Sequence, residues 1–323
     1  MRISGLSKRK LSSIVLFFVL ALAGCLIFAQ WSNREKYISA IQSIGPTWLC
    51  LLLMLSLLNY VLRIIRWQNY LRFLGANLPA TLSALIYVAG FALTMTPGKA
   101  GELYRGVFLK TYGVTYSDSI AVFVSERISD LSAILLLIIL GIFRQLHWFM
   151  IISLIIVAVI ISRVLLPHTQ FLLKFLGNLS RHIYCPSKVK RRWLTLLKEA
   201  RRCHSPRILL SATFLSLLAW SSEAFAFYLL LYKLGFSAGL LFALYVYALA
   251  TLAGAISFLP GGLGGTEAVM TGLLLINGMP ATQAIAATVI IRLTTLWFAV
   301  FLGVIALVLG KRALVTGTEQ PGN

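Results

Sequence analysis

Apolar residues fill this chain in long blocks, and the polar residues between them arrive in short, mostly basic clusters. A block of about 20 apolar residues is the length a helix needs to cross a bilayer core. The pattern predicts spans at about 11–29, 47–67, 78–96, 119–143, 148–166, 208–231, 240–259 and 282–309. Arg2, Lys8, Arg9 and Lys10 precede the first block, which reads as a signal anchor. Leu22-Ala23-Gly24-Cys25 resembles a lipoprotein cleavage box, but the apolar run continues past it. Two further pieces, Glu102 to Thr111 and Ala268 to Ile276, are too short to span.

Each short piece follows a break. The first is Thr94-Met95-Thr96-Pro97-Gly98-Lys99-Ala100-Gly101-Glu102; the second is Ser257-Phe258-Leu259-Pro260-Gly261-Gly262-Leu263-Gly264-Gly265-Thr266-Glu267. Proline lacks the helix donor and glycine is a poor helix former, so neither stretch continues a regular helix. Irregular backbone at membrane depth persists only where protein buries it or water reaches it. The expected gating loops are therefore Pro97, Gly98 and Gly101 in one break and Pro260, Gly261, Gly262, Gly264 and Gly265 in the other.

Shifting the chain by 165 residues lays one break on the other. Glu102 falls on Glu267, Gly113 on Gly278, Ile120-Ala121 on Ile285-Ala286 and Arg127 on Arg292, among 8 identities in 30 ungapped positions. Apolar composition raises chance matches between aliphatic residues, not between Glu, Gly and Arg. Basic residues mark the cytoplasmic side. With the N-terminus, Arg63 to Arg72, Lys174 to Arg207 and Lys311-Arg312 placed inside, the two short pieces return to opposite faces. The expected fold is all-α: about eight transmembrane helices plus two re-entrant hairpins in an inverted 4+4 repeat. The whole chain, 1–323, forms one membrane domain, with repeats at about 1–145 and 146–312 and a polar tail at 313–323.

Composition narrows the function. The 323 residues are 59% hydrophobic, with 29 basic residues against 9 acidic, for a net charge of +20. Segregated to the ends of spans, these charges fit topology and anionic headgroups rather than nucleic acid. Lys174 to Arg207 carries ten basic residues and one acid, Glu199. Within it Val189, Trp193, Leu196, Leu197 and Ala200 recur at helical spacing, which suits a connector lying on the inner leaflet. Cys25, Cys50, Cys185 and Cys203 are expected as free thiols. His182, Cys185, Cys203 and His204 lack metal-ligand spacing, and no metal or cofactor is expected.

Glu102, Glu126, Arg127, Asp130, Glu223, Glu267 and Arg292 fall in or beside apolar segments. Ionisable groups there are costly and mark functional sites unless they pair with one another. An arginine suits a phosphate because its planar fork matches phosphate oxygens. Gly262-Leu263-Gly264 lacks the strand and helix of a nucleotide fold, and no Ser-His-Asp set or HExxH helix appears, so no catalytic residue is assigned.

Pro97-Gly98, Gly101-Glu102-Leu103-Tyr104-Arg105, Ser125-Glu126-Arg127-Ile128-Ser129-Asp130, Pro260 to Ala268 and Arg292 together resemble the lysylphosphatidylglycerol synthase transmembrane-region family. This is the flippase-like module of bacterial multiple-peptide-resistance proteins, which also occurs alone. The resemblance implies that Glu102, Arg105, Arg127, Asp130, Glu267 and Arg292 line a lipid pathway. Ending at Asn323 without the aminoacyltransferase domain, the chain is expected not to make lysyl-lipid. The expectation is a flippase or transporter for an anionic phospholipid or lipid-linked precursor in a bacterial inner membrane, with both termini cytoplasmic and membrane lipids as partners. A homo-oligomer or a lipid-synthesis partner stays open. The alternatives are an integral-membrane enzyme or accessory subunit of lipid glycosylation, and a scaffold without transport.

Overall fold

The computed structural model describes residues 42, 44–76, 78–110, 112–142 and 206–310. The expected spans at 11–29 and 148–166, the basic connector up to 205, the cysteine–histidine group within it and the tail at 313–323 lie outside these residues. Among the described residues every regular element is helical.

Helix α1 runs Gly45–Phe73, α2 Ala80–Phe91, α3 Arg105–Lys110 and α4 Tyr116–Ile142. After the undescribed segment come α5 (Pro206–Lys233), α6 (Leu240–Ile256), α7 (Gly265–Ile276), α8 (Ala281–Arg292) and α9 (Phe298–Leu309). A π-helical turn, Leu293–Trp297, joins α8 to α9. Among the described residues three stretches are long and apolar enough to cross a membrane: Gly45–Phe73, Arg207–Lys233 and Ala281–Leu309. Helix α4 has the length but carries Asp118, Glu126, Arg127 and Asp130.

The helix ends follow local chemistry. Helix α1 stops at Gly75, whose φ of 84° is readily adopted only by a residue without Cβ. There Gly75 N–H donates to the Arg72 carbonyl and Ala76 N–H to that of Leu71, which satisfies two orphan acceptors of the last turn. The same pair of bonds closes α5 at Gly235, α3 at Gly113 and α7 at Gly278. So α1 and α5 end alike, as do α3 and α7.

The packing is reciprocal in the same sense. Helix α1 lies along α5; α2 packs on α9, while α6 packs on α4. Gly303 of α9 lets the backbone of Phe91 and Ala92 come close, and Gly141 of α4 does this for Leu241 and Tyr245 of α6. Small residues permit such approach where no hydrophobic force drives helices together. One buried apolar cluster joins α4 to α5–α8 and takes in Leu52 of α1; a second joins α1–α4 to α9 and takes in Ala212 of α5.

The polarity is inside out. On α1, Met54, Leu58, Val61 and Ile65 face outward, while Ser56, Asn59, Tyr60, Arg63 and Arg66 are buried. A water-soluble helix does the reverse. An apolar exterior around a polar interior is what a hydrocarbon solvent selects. This corrects one reading of the sequence. The stretch Arg63 to Arg72, placed at the cytoplasmic end of a span at 47–67, is not all interfacial: the helix continues to Phe73 and turns Arg63, Arg66, Trp67 and Tyr70 inward, while Arg72 is exposed.

Candidate functional site

Both breaks form where proline and glycine predict them. Thr96 and Leu259 are extended, as residues before proline prefer to be, and Pro97 and Pro260 each open a 3-10 turn. The first turn spans Pro97–Tyr104, the second Pro260–Gly262. Thr96 ties the first break together: its Oγ1 donates to the Leu93 carbonyl at 2.8 Å and accepts from Gly101 N–H at 2.6 Å. A Cβ on Gly101 would lie 2.6 Å from that same carbonyl oxygen, so the fold of this loop requires glycine. The two 3-10 turns touch each other across the molecule. Met95 fills the space beside Gly261, with Leu296 next to it.

Around the first break lies a buried ionic cluster. Asp130 accepts from Arg66 at 2.5 Å and from Arg63 at 3.1 Å, and Trp220 Nε1 donates to it at 3.1 Å. Arg66 also reaches Glu126 at 3.2 Å and donates to Ser216 Oγ. Arg105 bridges Glu102 at 2.9 Å and Glu126 at 3.2 Å. Its guanidinium lies 4.6 Å from the ring centres of both Trp67 and Tyr87, and Gly90 leaves room for its stem. Arg127 meets Glu102 at 3.4 Å and Asp130 at 3.5 Å, beside the Phe123 ring at 5.2 Å. Four guanidinium groups thus face three carboxylates. The Nε atoms of Arg63, Arg66 and Arg127 are buried without a hydrogen-bond partner among the described residues.

Among the described residues the second break holds a single ion pair. Arg292 Nε donates to Glu267 at 2.7 Å, and its Nη2 donates to the Gly261 carbonyl at 2.6 Å. The other oxygen of Glu267 accepts from Gly264 N–H at 2.6 Å. Arg292 therefore holds one side of the loop and, through Glu267, the other. Gly261, Gly262 and Gly264 all have positive φ, between 63° and 83°.

The residues singled out in the sequence thus fall into two groups. Glu102, Arg105, Arg127 and Asp130 share the first cluster; Glu267 and Arg292 form the second. Glu102, Arg105 and Asp130 are at most 5% exposed, whereas the side chains of Arg127, Glu267 and Arg292 reach 27%, 24% and 15%. The repeated pairs, Glu102–Arg127 and Glu267–Arg292, both close across 25 residues. Arg63 and Arg66 are additions that sequence reasoning missed; two arginines on one α1 face, opposite the acids of α4, were the available signal. Glu223, named from the sequence, is a fourth buried acid, accepting from Tyr247 at 2.7 Å. No group of three potential metal ligands occurs among the described residues.

Comparison with known proteins agrees with this architecture. The family model for the lysylphosphatidylglycerol synthase TM region matches residues 11–303. A UPF0104 membrane protein of Pyrococcus horikoshii is 25% identical over 334 aligned positions, covering 94% of this chain and 99% of the relative. Another, from Methanocaldococcus jannaschii, is 23% identical over 329 positions, covering 95% and 98%. A third, from Methanothermobacter thermautotrophicus, is 24% identical over 325 positions, covering 93% and 95%. With its breaks, its charges and nearly its whole length accounted for, the chain is a multi-pass membrane protein that belongs to the lysylphosphatidylglycerol synthase TM region family.

Proposed function

We propose that this protein moves an anionic phospholipid or a lipid-linked precursor between the leaflets of a cytoplasmic membrane, without hydrolysing nucleotide. The carrying observation is the pair of breaks. Each begins at a proline, each is followed by a Glu–Arg pair closed across 25 residues, and the two meet inside the molecule. Equivalent helix ends at Gly75 and Gly235, and at Gly113 and Gly278, support reading the halves as inverted repeats with re-entrant hairpins. So does the exchange by which α2 packs on α9 and α6 on α4. Broken helices at the interface of inverted repeats are where transporters bind their substrates.

The chemistry follows from the guanidinium groups. Arg127 and Arg292 combine partial exposure with a carboxylate partner, so a headgroup phosphate has a cation to approach and a counterion to displace. Reconstituted protein is expected to speed the movement of a labelled anionic lipid across liposomes. Arg127→Ala combined with Arg292→Ala should slow that movement about tenfold, the loss of one charge-assisted contact or more. Rates equal to empty liposomes across a broad lipid panel would sink the proposal. Product formed from a lipid acceptor and a sugar donor would favour an enzyme instead.

A further inference from the structure

The two hairpins are related in sequence but unequal in their ties. Where the first has Arg105, wedged between two aromatic rings and bonded to Glu102 and Glu126, the 165-residue shift places Met270 in the second. Glu126 and Asp130, which anchor Arg63, Arg66 and Arg105, fall on Ile291 and Thr295. The second break keeps one ion pair, and that pair is more open than any carboxylate of the first cluster.

The backbone carries the same asymmetry. Phe258, at the edge of the second break, has φ of 53°, a left-handed conformation that a bulky residue adopts only under constraint. Its side chain is exposed. Immediately after Arg292 the helix widens into the π turn, whereas the equivalent stretch after Arg127 is regular α-helix. Such turns recur at sites that change shape.

We propose that the second hairpin alone is the moving gate, and that an anionic headgroup opens it by taking Arg292 from Glu267. The inference rests on the lipid-translocation reading above. In the closed form Glu267 occupies the place of the headgroup: one oxygen neutralises Arg292 while the other holds Gly264 N–H. A phosphate bound to the guanidinium frees the carboxylate, and Arg292 must then relax its hold on the Gly261 carbonyl to meet the new anion. Both sides of the loop are released by one exchange. In the first hairpin the same exchange at Arg127 leaves Glu102 bonded to Arg105, and the loop stays closed.

The test uses the full chain, with native cysteines replaced, in phosphatidylcholine nanodiscs with or without phosphatidylglycerol. Single reporters Thr266→Cys and Thr94→Cys, at positions buried in the second and first breaks, are labelled with a water-soluble maleimide, and retained lipid is weighed by native mass spectrometry. Phosphatidylglycerol is expected to raise labelling at Thr266→Cys about tenfold, a modest shift of a two-state equilibrium, with Thr94→Cys unchanged. Adding Glu267→Gln should give the fast rate without phosphatidylglycerol. Retained phosphatidylglycerol with no change at Thr266→Cys, or an equal rise at both reporters, overturns the gate while leaving the lipid-binding reading intact. Absence of both retained phosphatidylglycerol and any labelling response overturns the lipid reading, and the gate with it.

Discussion

Arg66 is 1% exposed and serves Asp130, Glu126 and Ser216 at once. Replacing it by methionine takes a fully buried cation from two buried carboxylates; Asp130 keeps Arg63 and Glu126 keeps Arg105, so the cost expected is about 3 kcal/mol, the lower end for a broken buried pair. Arg127 differs: its side chain is 27% exposed, and its partners Glu102 and Asp130 keep Arg105, Arg63 and Arg66. Arg127→Ala should therefore cost less than about 1 kcal/mol while impairing lipid movement. Unfolding followed in detergent separates the two, and equal losses would assign both arginines to architecture alone. The sequence displays Glu102, Arg127, Glu267 and Arg292 because the repeat marks them. It hides the role of Arg66, whose acids lie 60 and 64 residues away, because an arginine at the end of an apolar run has the same local signature whether it meets headgroups or a buried acid.

At the scale of elements, the breaks are legible and the π turn is not. Proline and glycine forbid regular helix through Pro97–Gly101 and Pro260–Gly265 whatever surrounds them. Leu293–Trp297, by contrast, reads as ordinary apolar helix. The turn is held from outside: Tyr60 of α1 donates its hydroxyl to the Thr295 carbonyl at 2.6 Å, while Thr294 and Thr295 bond back to the preceding turn. Tyr60→Phe removes that bond for about 0.5–1.5 kcal/mol. Amide exchange should then rise across 293–297 and stay unchanged across 128–132, the corresponding regular stretch of α4. A rise in both would mean that the substitution loosens the bundle rather than the turn.

The whole molecule joins two halves through exchanged contacts. Helix α1 meets α5, each pre-break helix leans on the other half's final helix, and the two breaks abut. The inverted arrangement proposed above would return the ends of α3 and α7 to opposite faces of the membrane. Single cysteines at Lys110→Cys and Asn277→Cys, in a chain cleared of its native cysteines, are expected to label from opposite sides in oriented vesicles. Labelling of both from one side would refute the inversion.

What the sequence determined by itself is what local chemistry decides. Apolar block length gives membrane helices, proline and glycine give the breaks, and the 165-residue correspondence pairs Glu102 with Glu267 and Arg127 with Arg292. The tertiary structure alone decided which charges are fully buried in a network and which keep part of their side chain exposed. Burial and pairing depend on what packs against a residue from distant parts of the chain: α1 and α5 deliver Arg63, Arg66, Ser216 and Trp220 to the acids of α4, while Arg292 meets Glu267 and the Gly261 carbonyl. Spacing along one helix carries no record of that difference, because the energy of a buried charge is set by its neighbours in space.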